Sequence, residues 1–163
     1  MYPTPVINFE HKIVASQETL KPQLAALSRP LVMTNGCFDI LHRGHVSYLD
    51  QAAQLGNSLL VAVNSDHSIR QLDKGDNRPI NPLADRMAVL AALASVGLVI
   101  AFDESTPAIL ISLIRPDHLV KGGDWTPQQI VGADFVLKHG GQVHSIPIRY
   151  PRSTTAMIEK IRQ

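Results

Sequence analysis

The sequence predicts an α/β fold, a doubly wound sheet of about five parallel strands with helices on both faces. Three observations predict it. Apolar runs of strand length recur at 31–33, 59–63, 98–102, 118–120 and 143–146. Stripes of helical period lie between them. Each strand-length run is followed by a polar cluster, and the first and fourth of these clusters carry glycine.

The elements follow in chain order. Residues 1–12 carry prolines and read as an irregular N-terminal segment. A helix over 17–27 follows, with Ser16 as its candidate cap. After the strand at 31–33, Val46, Leu49, Ala52, Ala53 and Leu55 fall on one helical stripe. Leu83, Met87, Leu90, Ala91 and Ala94 form another beyond the second strand. Three helix starts share one device: Asn81-Pro82, Thr106-Pro107 and Thr126-Pro127 each pair a capping side chain with proline at the first helical position. A last helix over 155–161 places Met157, Ile158 and Ile161 on one side. No repeat, low-complexity stretch or linker divides the chain, so its 163 residues read as a single domain.

Composition narrows the function classes. An apolar fraction of 45% with 18% charged residues is that of a soluble globular chain. A net charge of +1 and the lack of any Lys/Arg block give no support for a nucleic-acid partner. One cysteine cannot form an internal disulfide, which favours a reducing, cytoplasmic setting. No signal peptide is expected, because residues 1–10 lack a basic and an apolar region, and no membrane span, because the apolar stretch at 87–102 is short and interrupted by Ser95 and Gly97.

The polar clusters carry the chemistry. In a doubly wound sheet the carboxyl ends of the strands share one edge, and ligands bind there at the switch point. The first cluster, Thr34-Asn35-Gly36-Cys37-Phe38-Asp39, runs on to His42-Arg43-Gly44-His45 where a βα turn becomes a helix. A helix N-terminus offers unpaired N–H donors and a partial positive charge to a phosphate. Gly36 and Gly44 let backbone approach such a group, and the two histidines add donors at neutral pH. A metal-binding pair is the weaker reading, since no third ligand has suitable spacing. Both dinucleotide and P-loop fingerprints are absent, which argues against a dehydrogenase and a P-loop kinase.

Later clusters fit the same crevice. Lys74 and Arg78 stand in a charged, proline-bearing loop at 72–81 of the kind that folds over ligands. Arg86 lies one turn into a helix, where a cation opposes the dipole; it suits phosphate, or else a carboxylate such as Asp85 or Asp39. Lys121-Gly122-Gly123-Asp124-Trp125 offers close backbone approach, a hydroxyl acceptor and a ring wall. Ser153-Thr154-Thr155 opens the last helix with hydroxyls and N–H groups. Cys37 has no base placed for it and reads as a small packed residue.

Asn35-Gly36-Cys37-Phe38-Asp39 with His42-Arg43-Gly44-His45 resembles the H-x-G-H signature of the cytidylyltransferase-like nucleotidyltransferase superfamily, and Ser153-Thr154-Thr155 its Ser/Thr-rich second signature. Asn64-Ser65-Asp66, the run from Arg78 to Arg86, and Lys121-Gly122-Gly123-Asp124 resemble the heptose 1-phosphate adenylyltransferases within it. The resemblance spans about residues 12–162 and is to the free-standing form, without a sugar-kinase domain. It implies a Rossmann-like fold and transfer of AMP from ATP to heptose 1-phosphate, giving ADP-heptose for lipopolysaccharide core synthesis. The alternatives are a glycerol-3-phosphate cytidylyltransferase or a non-catalytic nucleotide sensor.

The resemblance also implies roles. His42, His45, Lys74 and Arg86 act on the triphosphate. Thr34, Asn35, Gly36, Cys37, Phe38, Gly44, Lys121, Gly122, Asp124, Ser153, Thr154 and Thr155 meet the nucleotide. Asp39, Asn64, Asp66, Arg78 and Trp125 meet the sugar phosphate. Mg²⁺ comes held mainly by nucleotide phosphates, with no protein residue assigned to it. Relatives often form homodimers.

Overall fold

The computed structural model describes residues 9–72, 78–150 and 152–163. Five strands form one parallel sheet: β1 (Leu31–Gly36), β2 (Ser58–Asn64), β3 (Leu98–Phe102), β4 (His118–Gly122) and β5 (Gln142–Ile146). Their order is β3-β2-β1-β4-β5, so the chain winds outward from β1 and then reverses to start again at β4. All five expected strands are present. Register pairs Val32 with Leu59 on one side and with His118 on the other.

Alternation along the strands builds two cores. Leu31 and Met33 face one side with Leu60, Ile100 and Leu119; Val32 faces the other with Leu59, Val61, Val99 and Val120. Central strands buried on both faces are near-continuous in apolar residues, which is why they were readable as short runs. Helix α1 (Gln17–Ala25), α5 (Ala108–Ile114) and α6 (Ala133–Lys138) cover the first face through Leu20, Leu110, Ile111 and Val136. On the second lie α2 (Arg43–Ala53) and α4 (Leu83–Ala91), through Tyr48, Leu49, Met87 and Leu90. The two remaining helices are α3 (Asp66–Gln71) and α7 (Thr154–Arg162).

The structure departs from expectation at several ends. Residues Glu10–Lys12 form a short 3₁₀ turn rather than an irregular tail. Ile13 then bridges Val99, and the Val14 N–H donates to the Val99 carbonyl at 2.9 Å, covering part of the β3 edge. Pro82 and Pro107 are N-cap residues, not first helical residues, so α4 and α5 begin one position late. At α4 the reason is that Asn81 is diverted: its amide donates to the Asp39 carbonyl and its N–H to Asp39 Oδ1. The Thr126-Pro127 start holds as drawn, but it opens only a 3₁₀ turn over Pro127–Gln129. Helix α6 follows separately, after Gly132 at φ 85°. No helix of the described residues is long and apolar enough to cross a membrane.

A crevice between two helix N-termini

Strand β1 delivers the chain to the switch point, and the turn after it is shaped by aromatic packing. Phe38 takes a left-handed φ of 48°, a conformation that non-glycine residues rarely adopt. Its ring is buried, and a Cβ at Gly36 would stand 2.9 Å from it. The same ring meets His45 edge-on at 5.4 Å between centroids. Gly36 is thus required by Phe38.

His42 is the N-cap of α2, with extended backbone, and its Nδ1 accepts the His45 N–H at 3.4 Å. That bond puts the proton of a neutral His42 on Nε2, leaving Nε2–H as a donor. The two imidazoles stack with centroids 3.8 Å apart and planes 21° apart. Burial lowers the pKa of His42 below the ordinary value for histidine. His45 falls to about 4, through burial first and then the neighbouring His42, against a weaker pull from the Ile40 backbone. Both rings are therefore neutral at pH 7 in the free protein. The pair offers N–H dipoles rather than charge.

The second wall comes from the other end of the chain. Ser153 caps α7, its hydroxyl accepting the Ala156 N–H at 3.1 Å. The Thr154 hydroxyl donates to the Ile40 carbonyl at 3.4 Å. The crevice holds about 390 Å³. On the β1–α2 side it is lined by Cys37, Phe38, Asp39, His42 and His45, with Arg78. Opposite stand Ile148, Arg152, Ser153, Thr154 and Thr155. Two helix N-termini thus face one space, and the first-turn N–H groups of Arg43, Gly44, Thr154 and Thr155 have no acceptor within their helices.

Several expected site residues sit elsewhere. Thr34 is fully buried, its hydroxyl bonded to the Tyr48 hydroxyl, which in turn donates to the Val120 carbonyl at 3.3 Å. Asn64 is buried, and its amide donates to Ser68 Oγ at 3.0 Å. Arg86 is 1% exposed and spends its guanidinium inside the protein. Nε donates to the Asn81 carbonyl at 3.0 Å, Nη1 to the Cys37 carbonyl at 2.6 Å and Nη2 to Asp66 Oδ1 at 2.7 Å. Its carboxylate partner is Asp66, neither Asp85 nor Asp39. In this structure Arg86 is accordingly a buried tie between Asn81, Cys37 and Asp66.

Asp39 lines the crevice, but its oxygens are taken. Arg78 Nε donates to Oδ2 at 2.6 Å, the Ile80 N–H to Oδ1 at 2.9 Å and the Asn81 N–H to Oδ1 at 2.9 Å. Burial alone would raise its pKa; these donors outweigh burial and lower it. Gly44 and Gly122 also serve the protein itself. A Cβ at Gly44 would stand 2.8 Å from the Tyr150 carbonyl and 3.0 Å from the His42 ring, and one at Gly122 would stand 3.3 Å from the Tyr48 ring.

Gly122 and Lys121 end β4 on the same sheet edge, and Asp124 and Trp125 follow exposed, outside the lining of this crevice. Trp125 Nε1 donates to the Gly122 carbonyl at 3.0 Å. Asn35 is half-buried at the end of β1. Lys74 lies outside the described residues. Arg152 lines the crevice, a place that the sequence reading did not give it; its position directly before Ser153-Thr154-Thr155 was the available signal. The described residues gather no group of three or more His, Cys, Asp or Glu that could hold a metal. The crevice donors are imidazole, hydroxyl and N–H, which suit phosphate oxygens; a divalent ion fits as cargo of those phosphates.

Residues 33–158 match the sequence pattern of the family described as cytidylyltransferase-like. The chain belongs to that family. Within it, the chain is 53% identical over 156 residues to the D-beta-D-heptose 1-phosphate adenylyltransferase of Bordetella bronchiseptica, covering 95% of this chain and 96% of that one. It is 59% identical over 132 residues to the bifunctional protein HldE of Haemophilus ducreyi, covering 81% of this chain but only 28% of that relative.

Among solved structures, the lipopolysaccharide core biosynthesis protein of Thermoplasma volcanium GSS1 is 30% identical with a TM-score of 0.60, covering 75% of this chain and 98% of that one. Pantoate-beta-alanine ligase of Francisella tularensis, complexed with beta-gamma ATP and beta-alanine, aligns at a TM-score of 0.60 over 93% of this chain and 79% of that one. At 14% identity it shows a shared Rossmann-like fold alone. The cytidylyltransferase-like pattern thus runs from β1 to α7 and takes in both walls of the crevice.

Proposed function

We propose that the protein transfers AMP from ATP to D-glycero-β-D-manno-heptose 1-phosphate, releasing pyrophosphate and forming ADP-heptose for lipopolysaccharide core synthesis. The observation that carries this reading is the crevice of two facing helix N-termini with the neutral His42–His45 stack at its base. Near-full-length similarity to a heptose 1-phosphate adenylyltransferase supplies the substrate.

A sugar-phosphate oxygen attacks the α-phosphorus in line. The new P–O bond forms as the bond to the α,β-bridging oxygen breaks, and its electron pair leaves with pyrophosphate. No covalent enzyme intermediate enters, so the chain's work is positioning and charge stabilisation. His42 Nε2–H and the His45 ring donate to phosphate oxygens where charge accumulates. The N–H groups opening α2 and α7, with the hydroxyls of Ser153, Thr154 and Thr155, hold the β- and γ-phosphates. Arg152 adds positive charge, while Arg78 lines the crevice paired with Asp39 and faces the sugar phosphate with it. Lys74 joins them from the 72–81 loop as a cation assigned from sequence. Cys37 and Phe38 wall the nucleotide side, with Asn35, Lys121 and Asp124 beyond them. Asp66 acts through Arg86, and Trp125 stands toward the sugar.

Mg²⁺, carried on the triphosphate, neutralises charge on the phosphate oxygens when bound. The nucleotide donor places the reaction in the cytoplasm. A homodimer belongs to this proposal as well, to be read by sedimentation. The substrate test is a turnover matrix of ATP and CTP against heptose 1-phosphate and glycerol 3-phosphate. The reading requires ADP-heptose from the first pair; CDP-glycerol as main product overturns it, as does ATP binding with no turnover.

A further inference from the structure

Helix α7 forms one wall of the crevice, yet none of its described side chains is buried. Its first turn meets the β1–α2 turn directly through the Thr154–Ile40 bond, and a second tie lies just before it in the chain. There, the Arg43 guanidinium carbon lies 3.6 Å from the centroid of the Tyr150 ring, and Nη2 donates to the Tyr150 hydroxyl at 2.8 Å. Backbone contact is as close: the Tyr150 carbonyl accepts the Arg152 N–H at 2.8 Å and occupies the space that a Gly44 side chain would need.

Arg43 is the first residue of α2, where a cation opposes the helix dipole. Its placement there does not serve the helix. The ring face offsets that cost, and the contact joins residues 107 positions apart. We propose that Arg43 and Tyr150 are a positioning pair: their stack fastens the chain at Tyr150 onto α2 and thereby sets the N-terminus of α7 opposite His42 and His45. The pair deepens the nucleotidyl-transfer reading, on which its effect on ATP rests; the fastening itself stands on geometry alone.

The test uses Arg43→Ala, Tyr150→Leu, their double variant and Tyr150→Phe in the full chain. ATP affinity is measured by calorimetry, KM and kcat by turnover, and amide exchange over 153–157 by mass spectrometry. Each single variant is expected to weaken ATP about five- to tenfold, mostly in KM, and the double no more than the weaker single. Tyr150→Phe, which keeps the ring face, should stay within about twofold. Exchange in the first turn of α7 should quicken in Arg43→Ala and Tyr150→Leu without a fall in the thermal midpoint.

Loss in Arg43→Ala alone, with Tyr150→Leu unchanged, overturns the pair and makes Arg43 a direct phosphate ligand. Losses that multiply in the double variant, or unchanged exchange in α7, also overturn it. If the wild type makes no ADP-sugar, the activity reading fails, while exchange over 153–157 still judges the pair.

Discussion

His42 and His45 stack ring on ring, 3.8 Å between centroids, with the His45 N–H bonded to His42 Nδ1. The capping bond fixes the tautomer of His42, and the stack makes a charge on either ring unfavourable for the other. Two neutral imidazoles at a helix N-terminus present hydrogen-bond donors without needing a proton from solvent. That arrangement suits a reaction in which the phosphates bring the charge.

The ionisation state is directly measurable. In the free protein His45 should titrate with a midpoint of about 4, followed by NMR of its ring carbon-bound protons. Because its folded pKa lies below the unfolded value near 6.5, the unfolded chain binds protons first as pH falls. Stability should therefore decline from about pH 6.5 toward 4 and gain nothing from this group above that window. A titration at 6–7 would remove the neutral-pair account.

Arg86 separates a buried tie from a phosphate ligand. Arg86→Ala strips donors from the Asn81 and Cys37 carbonyls and leaves Asp66 unpaired. The expected loss is about 3 kcal/mol in denaturant unfolding, or roughly 6–12 °C in Tm. An unchanged Tm with a raised KM for ATP would return Arg86 to the phosphate.

Gly44→Ala tests the closeness of the two walls. Alanine suits a helical position better than glycine, so the fold should be retained. The added Cβ would lie 2.8 Å from a backbone carbonyl, that of Tyr150, and 3.0 Å from the His42 ring. Displacing both should cut turnover by at least roughly tenfold. Wild-type kinetics would show that the α7 wall needs no such fit.

These tests also mark what a sequence makes legible. Strands such as Leu59 to Val63 were readable because central parallel strands are apolar on both faces, but β1, β2 and β4 run on into the polar clusters, to Gly36, Asn64 and Gly122. Helix α3 was not foreseen, and the helix expected from Thr126-Pro127 begins only at Ala133; six residues each span fewer than two turns, too few for a period to register. In the crevice, the His42–His45 turn and Ser153–Thr155 were legible because helix N-termini have local signatures. The partners of buried polar groups were not. Nothing local ties Arg86 to Asp66 twenty positions away, or Arg43 to Tyr150 across the chain. Gly36 and Gly44 were singled out for close approach to a phosphate; their close neighbours within the protein are Phe38, His42 and Tyr150.

Pyrophosphate release from ATP and heptose 1-phosphate, wild type against His45→Ala, bears on the His42–His45 crevice as the seat of nucleotidyl transfer. With the thermal midpoint checked, loss of one transition-state donor should lower the rate roughly 10²–10³-fold. A folded His45→Ala protein releasing pyrophosphate at the wild-type rate would contradict it.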